Sequence, residues 1–477
     1  MSDLTEQEIR SQIADLTRQL TERKSSSDTF APGNDPVPYA GRVYDSEEVI
    51  AGVMSMLDFW LTLGPEGEAF ERELASYIGV RNSLLMNSGS SANLVAFSAL
   101  TSHRLGDRRL RPGDEVITVA GGFPTTVGPI IQNGCVPVFL DNDPLTGNIN
   151  VEQLDDAYVA GRTKAVMIAH TLGNPFDLKT ITDFCEQHGL WLIEDNCDAL
   201  GSTYGDKLTG TFGDLSTQSF YPPHHLTLGE GGAVNVTRDP MLKILCESFR
   251  DWGRDCWCAS GVDNTCGKRF CWKHGELPEG YDHKYVYSHL GYNLKPLDPQ
   301  AAIGRVQLTR IEQFTQARKD NWQFLRRALA PAEEFFEFSL PTHATGWSDG
   351  EFQWKSGQPT TDPSWFGFLM LVRDSAPFSR VEFAQELDRL KIGNRMLFGG
   401  NLLRQPVFVQ LRKDFEKFGS PSGNAPYRVV GDLSGADQLM HQGIFLGVYP
   451  GLTQEQLEFV AGSVLSFCEQ HSGRSAA

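Results

Sequence analysis

Residues 219–232 read SFYPPHHLTLGEGG. The pattern predicts a short strand ending at Ser219-Phe220, a loop of four or five residues, and a glycine-rich hairpin at Gly229, Gly231 and Gly232. His224 and His225 sit in that loop. An imidazole titrates near neutrality, with an ordinary pKa of about 6.5, so a histidine held there is a candidate for moving protons. Two adjacent loop histidines, taken alone, are more often surface residues; the flanking sequence decides between these readings.

Working outward, the apolar runs EVITV (115–119), VPVFL (136–140), AVMIAH (165–170) and LWLIEDN (190–196) alternate with helical patterns. That alternation predicts an α/β fold with a mainly parallel sheet covered on both faces, in which ligands bind at the carboxyl ends of the strands. Asp195 falls at such an end. So does Phe123, although a phenylalanine after a strand is ordinarily core. In LLMNSGSSANLVAFSAL (84–100) a strand turns through Asn87-Ser88-Gly89-Ser90-Ser91 into a helix. Small residues and free N–H groups at a helix start suit a phosphate, and equally suit plain helix capping.

The chain has 477 residues, too many for one compact core, so at least two domains are expected. A net charge of −18 argues against a nucleic-acid partner, since phosphate backbones call for clustered Lys and Arg. No apolar run reaches eighteen residues and the start is polar, so neither a membrane span nor a signal peptide is expected, and a cytoplasmic location is. Nine cysteines, an odd number, do not suggest a disulfide frame in that compartment.

Near the start, residues 2–24 predict an amphipathic docking helix with Thr5 and Glu8 as a capping pair, followed by a Pro/Gly/Ser-rich stretch and a helix begun by Ser46. Cys135, Cys185, Cys246 and Cys468 lie in core patterns. Cys256, Cys258, Cys266 and Cys271 crowd one loop, and the C-x-C-x7-C spacing suits a soft metal or an iron–sulfur cluster, with the fourth ligand either Cys271 or a distant residue. A long helix is expected from about Gln313. Residues 341–364 predict a polar insertion. A small α/β unit follows, with helices begun by the Ser379/Glu382 pair and by Thr453.

With Ser219, Phe220, Glu230, Gly231 and Gly232 in register, the opening stretch resembles the DegT/DnrJ/EryC1/StrS family of pyridoxal-phosphate enzymes. His224 then occupies the position of that family's Schiff-base lysine, and an imidazole cannot form the bond the lysine amine forms. The resemblance covers roughly residues 38–310 and implies the aspartate-aminotransferase type of fold. It divides the chain into an N-terminal arm (1–45), a large cofactor domain (46–312) with a cluster loop at 256–271, and a small C-terminal domain (313–477). It also implies that Gly89, Ser90, Ser91 and Ser219 hold the cofactor phosphate, that Phe123 covers the ring, and that Asp195 pairs with the pyridine nitrogen. Asp198 stands where relatives carry Gln or His, and Tyr221 adjoins the same pocket. Asn293, in GYNLKPLDPQAAIG, is expected to reach the cofactor of the other subunit of a homodimer.

The missing lysine and the cysteine spacing narrow the resemblance to the iron–sulfur 3-dehydrases of deoxysugar biosynthesis. In that branch Cys197, Cys256, Cys258 and Cys266 are the implied ligands of a 2Fe-2S cluster, favoured over zinc, with Cys271 free. The activity implied is that of a lyase: a pyridoxamine 5'-phosphate (PMP) dependent 3-dehydratase of a nucleotide-linked 4-keto-6-deoxyhexose. CDP-4-keto-6-deoxyglucose is the expected substrate and a dTDP-4-keto-2,6-dideoxyhexose the alternative. An NAD(P)H-dependent iron–sulfur flavin reductase or a ferredoxin/flavodoxin system is the expected electron donor. His224 is the expected base, and Arg395 and Arg404 the expected contacts of the substrate diphosphate. An ordinary sugar aminotransferase, or a binding module that keeps the fold, are the competing readings.

Overall fold

In the computed structural model, residues 4–25, 30–258, 261–419 and 423–472 are described. Seven strands form most of the large sheet: β1 (Asn82–Met86), β2 (Glu115–Val119), β3 (Val136–Leu140), β4 (Thr163–Ala169), β5 (Trp191–Asp195), β6 (Leu215–Ser219) and β7 (Gly232–Val236). Their order is β1-β7-β6-β5-β4-β2-β3, and Arg428–Val429 adds an eighth strand beside β3. β2 to β6 run parallel, while β7 lies antiparallel between β6 and β1. The strands are buried along almost their whole length, as expected of a sheet covered on both faces.

One face packs Leu84, Val116, Ala165 and Val234 against helices Gly89–Leu100 and Pro240–Arg250; the other packs Ile117, Val138, Val166 and Leu192 against helix Leu178–His188. A second, antiparallel sheet runs in the order Phe336–Phe338, Gly367–Val372, Gly443–Gly447, Asn394–Arg395. Its core is built around Trp322, which is wholly buried and stacks on Trp365 with ring centroids 4.7 Å apart. The C-terminal segment is thus not confined to this second sheet, since Arg428–Val429 pairs with β3.

Thr5/Glu8, Ser379/Glu382 and Thr453 each cap their helices, as their local patterns predict. The helix placed at Ser46 is capped one residue earlier: Asp45 accepts from the Glu47 N–H, and Glu48 reaches back to the Asp45 N–H. A carboxylate caps as well as a hydroxyl does, so the two adjacent candidates compete. The long helix spans Ile311–Ala328. Within 341–364, strands Ala344–Ser348 and Glu351–Trp354 form a hairpin whose Trp347 and Phe352 pack on Trp322. Cys135, Cys185, Cys246 and Cys468 are buried. No helix among the described residues is long and apolar enough to cross a membrane.

Candidate active site

β6 and β7 pair directly, Ser219 opposite Gly232, so residues 220–231 leave the sheet as one excursion from its carboxyl edge. The helix Gly89–Leu100, the turn after β2, the end of β5 and this excursion meet around a cavity of about 330 Å3. Its lining includes Gly89, Ser90, Phe123, Asp195, Cys197, Asp198, Ser219, Tyr221 and His224, with Phe366 and Arg395 closing it from the C-terminal half.

Asp195 is the buried floor. Its carboxylate accepts from Asn93 Nδ2 at 2.8 Å, Thr126 Oγ1 at 2.6 Å and the Cys197 N–H at 3.2 Å, all neutral donors. Such an acceptor is suited to pairing with a protonated ring nitrogen. At the helix start Ser88 is the N-cap, and its hydroxyl binds both the N–H and the Oγ of Ser91. Ser91 is thereby turned toward the cap rather than the cavity, whereas Gly89, Ser90 and Ser219 border the cavity. A Cβ on Gly89 would lie 2.6 Å from Ser219 Cβ, so only glycine lets the helix start and β6 close together there. The residues present fit a flat anionic cofactor such as the PMP implied by the resemblance: the helix start with Ser90 and Ser219 would take a phosphate, and the Asp195 carboxylate a protonated ring nitrogen.

His224 keeps 15 % of its side chain exposed. Its ring lies 5.2 Å from that of Phe366, centroid to centroid. Nδ1 lies 3.4 Å from Asp198 Oδ1, yet makes no hydrogen bond. Burial, reinforced by the Arg318 guanidinium, lowers the imidazole to about 4. Burial, reinforced by the Asp195 carboxylate, raises Asp198 to about 8. At neutral pH His224 is therefore a neutral base. His225 instead anchors the loop: it is buried, and its Nε2 lies 2.7 Å from the Ser364 carbonyl.

Arg318 was missed in the sequence. Only 1 % exposed, it donates to the carbonyls of Pro223 and His224 at 3.2 and 3.0 Å and to that of Trp365 at 3.3 Å. Its signal was present as an arginine on the apolar stripe Phe314, Arg318, Trp322, Leu325. Tyr39, Phe366, Phe398 and Phe445 also line the cavity, and nothing local marked them.

The two candidate substrate arginines part company. Arg395 is at the cavity mouth, its guanidinium 4.2 Å from the centre of the Tyr39 ring. Arg404 is exposed and held by Asp437 at 2.7 Å, outside the cavity lining. Asn293 is exposed on the chain's surface and borders no part of its own chain's cavity.

The four implied cluster ligands are likewise divided. Cys256, Cys258 and Cys266 line one small cleft, in which the Cys266 N–H donates to Cys258 Sγ at 3.4 Å. Cys197 lies in the cofactor cavity beside Asp195, and among the described residues it joins no cluster of metal-capable side chains. Cys271 is exposed. A larger cavity of about 560 Å3 passes Cys256 and Cys258, but its lining includes neither His224 nor Asp195.

The model of the DegT/DnrJ/EryC1/StrS aminotransferase family matches residues 44–465. The lipopolysaccharide biosynthesis protein RfbH of Salmonella typhimurium is 49 % identical over 464 residues, 97 % of this chain and 99 % of that protein. The dTDP-4-dehydro-2,6-dideoxy-D-glucose 3-dehydratase of Saccharopolyspora spinosa is 46 % identical over 450 residues, 94 % of this chain and 90 % of that protein. Among solved structures, E. coli GDP-4-keto-6-deoxy-D-mannose-3-dehydratase with bound hydrated PLP superposes with a TM-score of 0.73 at 25 % identity, covering 90 % of this chain and 98 % of that one.

Proposed function

The chain belongs to the DegT/DnrJ/EryC1/StrS aminotransferase family, and we propose that within it the chain is a PMP- and iron–sulfur-dependent lyase that removes the C3 hydroxyl of a nucleotide-linked 4-keto-6-deoxyhexose. The observation that carries this reading is His224, a neutral imidazole facing the cofactor cavity where an aminotransferase needs an amine. The 3-dehydratase relative at 46 % identity supports it.

When bound, PMP supplies an amine for the C4 ketone and an electron-withdrawing ring. Asp195 would hold the ring nitrogen, Gly89, Ser90 and Ser219 would hold the phosphate, and Phe123 would cover the ring. His224 moves the proton at the amine-bearing carbon of the cofactor, and because it is neutral it accepts without first losing a proton. Asp198, protonated beside it, offers no competing negative charge. Arg395 at the mouth attracts the substrate diphosphate. In the net change the C3–O bond breaks, oxygen leaves as water, and two protons arrive with two electrons from NAD(P)H through an external flavin and iron–sulfur reductase. The cluster would be held by Cys256, Cys258 and Cys266 with Cys197 as fourth ligand, and would supply one-electron transfer.

The resemblance of motifs favours CDP-4-keto-6-deoxyglucose as substrate, and the Saccharopolyspora relative's name favours a dTDP-linked 2,6-dideoxy sugar. A homodimer agrees with the exposure of Asn293 beside Leu290, which is 96 % exposed, and a cytoplasmic location belongs to the same reading. An anaerobic assay of the purified protein with CDP- and dTDP-linked 4-ketosugars, PMP and a generic reductase tests the reading. A 3-deoxy product from either sugar supports it. Amino transfer from glutamate, with no deoxygenation, returns the chain to ordinary aminotransferase chemistry.

A further inference from the structure

Arg318 is buried, yet among the described residues its hydrogen bonds go only to backbone. Nη2 donates to the carbonyls of Pro223 and His224, Nη1 donates to that of Trp365, and Nε has no partner. A guanidinium taken out of water without a bonded carboxylate is a costly way to hold a loop, and a neutral donor would hold it at less cost. The arrangement therefore calls for a role beyond stability.

What the guanidinium joins indicates that role. It spans two segments 141 residues apart (365 minus 224), and each delivers a ring to the same place: the rings of His224 and Phe366 lie 5.2 Å apart, centroid to centroid. The helix Ile311–Ala328 is the template for both. Trp322, one turn after Arg318 and also buried, stacks on Trp365 at 4.7 Å and fixes the second segment to the helix on its own account. His225 is tied through its side chain, whereas Arg318 grips the carbonyl of His224 itself. Arg318 is not part of the cofactor cavity's lining. It meets the loop from behind, at a small cavity of about 10 Å3 that both histidines also line.

From this geometry we infer that Arg318 is a positioning residue for the dehydration: by gripping the His224 carbonyl it sets where the imidazole stands over the cofactor cavity, without itself touching cofactor or substrate. The inference rests on the reading of His224 as the base. Proton transfer needs an approach of about 3 Å, and a misplacement of about 1 Å can cost about 100-fold in rate. A planar fork with fixed donor spacing suits that task better than a flexible ammonium.

The test uses the full chain saturated with PMP and with CDP- or dTDP-4-keto-6-deoxyglucose in deuterated water. Hydrogen exchange at the cofactor's amine-bearing carbon is followed, together with PMP affinity, melting temperature, kcat and KM. Arg318→Met keeps the stem and removes the donors. It is expected to bind PMP within about twofold of wild type and to exchange about 10–100-fold more slowly per folded chain, the loss falling on kcat and not on KM. Arg318→Lys keeps the charge without the fork and should fall between the two, which preserves the test if the Met variant does not fold. Arg326→Met is the control, a buried arginine of the same helix that pairs with Glu333 and lines neither cavity. It should lower the melting temperature and exchange at the wild-type rate.

Exchange at the wild-type rate in either folded Arg318 variant overturns the inference. An equal loss in Arg326→Met does so too, because the effect would then be one of helix stability. So does a rise in KM or weaker PMP binding with kcat unchanged, which would make Arg318 a support of the cavity and not of the base. No exchange in the wild type with either sugar, or full exchange in His224→Asn, defeats the function proposed above and the inference with it. A silent His224→Asn beside unimpaired Arg318 variants defeats the inference alone.

Discussion

His224 Nδ1 stands 3.4 Å from Asp198 Oδ1, and burial drives both groups toward their neutral forms, the imidazole down to about 4 and the carboxyl up to about 8. The pair is adjacent without being an ion pair. For stability the sign follows from Asp198. An unfolded carboxylate titrates near 4, so between pH 4 and pH 8 unfolding releases a proton from Asp198 and that group's contribution to stability falls as pH rises, while His224, which gains a proton on unfolding between pH 4 and pH 6.5, offsets it over that lower range. Asp198→Asn should therefore match the wild type near pH 4 and exceed it increasingly toward pH 8, by on the order of a few kcal/mol at about 1.4 kcal/mol per pKa unit. Urea unfolding across that range measures it; a constant difference between the two proteins would mean that Asp198 is not held protonated.

The two histidines should separate cleanly. His224→Asn removes the base and is expected to abolish hydrogen exchange at the cofactor's amine-bearing carbon while cofactor binding and melting temperature stay near wild type. His225→Ala leaves the Ser364 carbonyl without its partner and should destabilise by about 1–3 kcal/mol, with exchange retained in the folded fraction. The reverse pattern would mean that the loop register is wrong.

Gly89→Ala places a methyl 2.6 Å from Ser219 Cβ, against residues on both sides of the expected phosphate site. Steric displacement there should weaken PMP binding by at least about 1 kcal/mol, near the low end of overpacking costs. Spectrophotometric titration reads the change, and unaltered affinity would place the phosphate elsewhere.

Asp195→Asn keeps the shape of the cavity floor and removes its charge. Losing a charged hydrogen bond to the ring should cost about 1.5–3 kcal/mol in cofactor affinity. Thr126→Val, which deletes only a hydroxyl donor at 2.6 Å, should cost less. Equal effects would indicate that Asp195 is a structural acceptor and not the partner of the ring.

What could be read from the sequence was what depends on neighbours along the chain. Capping at Thr5, Ser379 and Thr453, the alternating strands, and the position of Asp195 at a strand end all follow from a few adjacent residues. Asp45 displaced Ser46 because the two are equally competent caps one residue apart. The rest depends on distant pairings: Phe366 reaches His224 across 142 residues (366 minus 224), and Arg404 is held by Asp437 rather than by the cavity. Cys197 shows the same limit. Its thiol lines the cavity beside Asp195, a position that chain spacing does not give.

Arg318 ties the backbone of the His224 loop to a helix 94 residues further along the chain. At a synthesis rate of about 5–20 residues per second, the ribosome needs on the order of 5–20 s to travel from the base to its clamp. The strands β1 to β7 are all synthesised before that interval ends, so a nascent chain carries these seven strands while the loop with the base still has no guanidinium to anchor it. A fragment stopped at Leu308 would keep the sheet's strands through Val236 and have a histidine without its clamp.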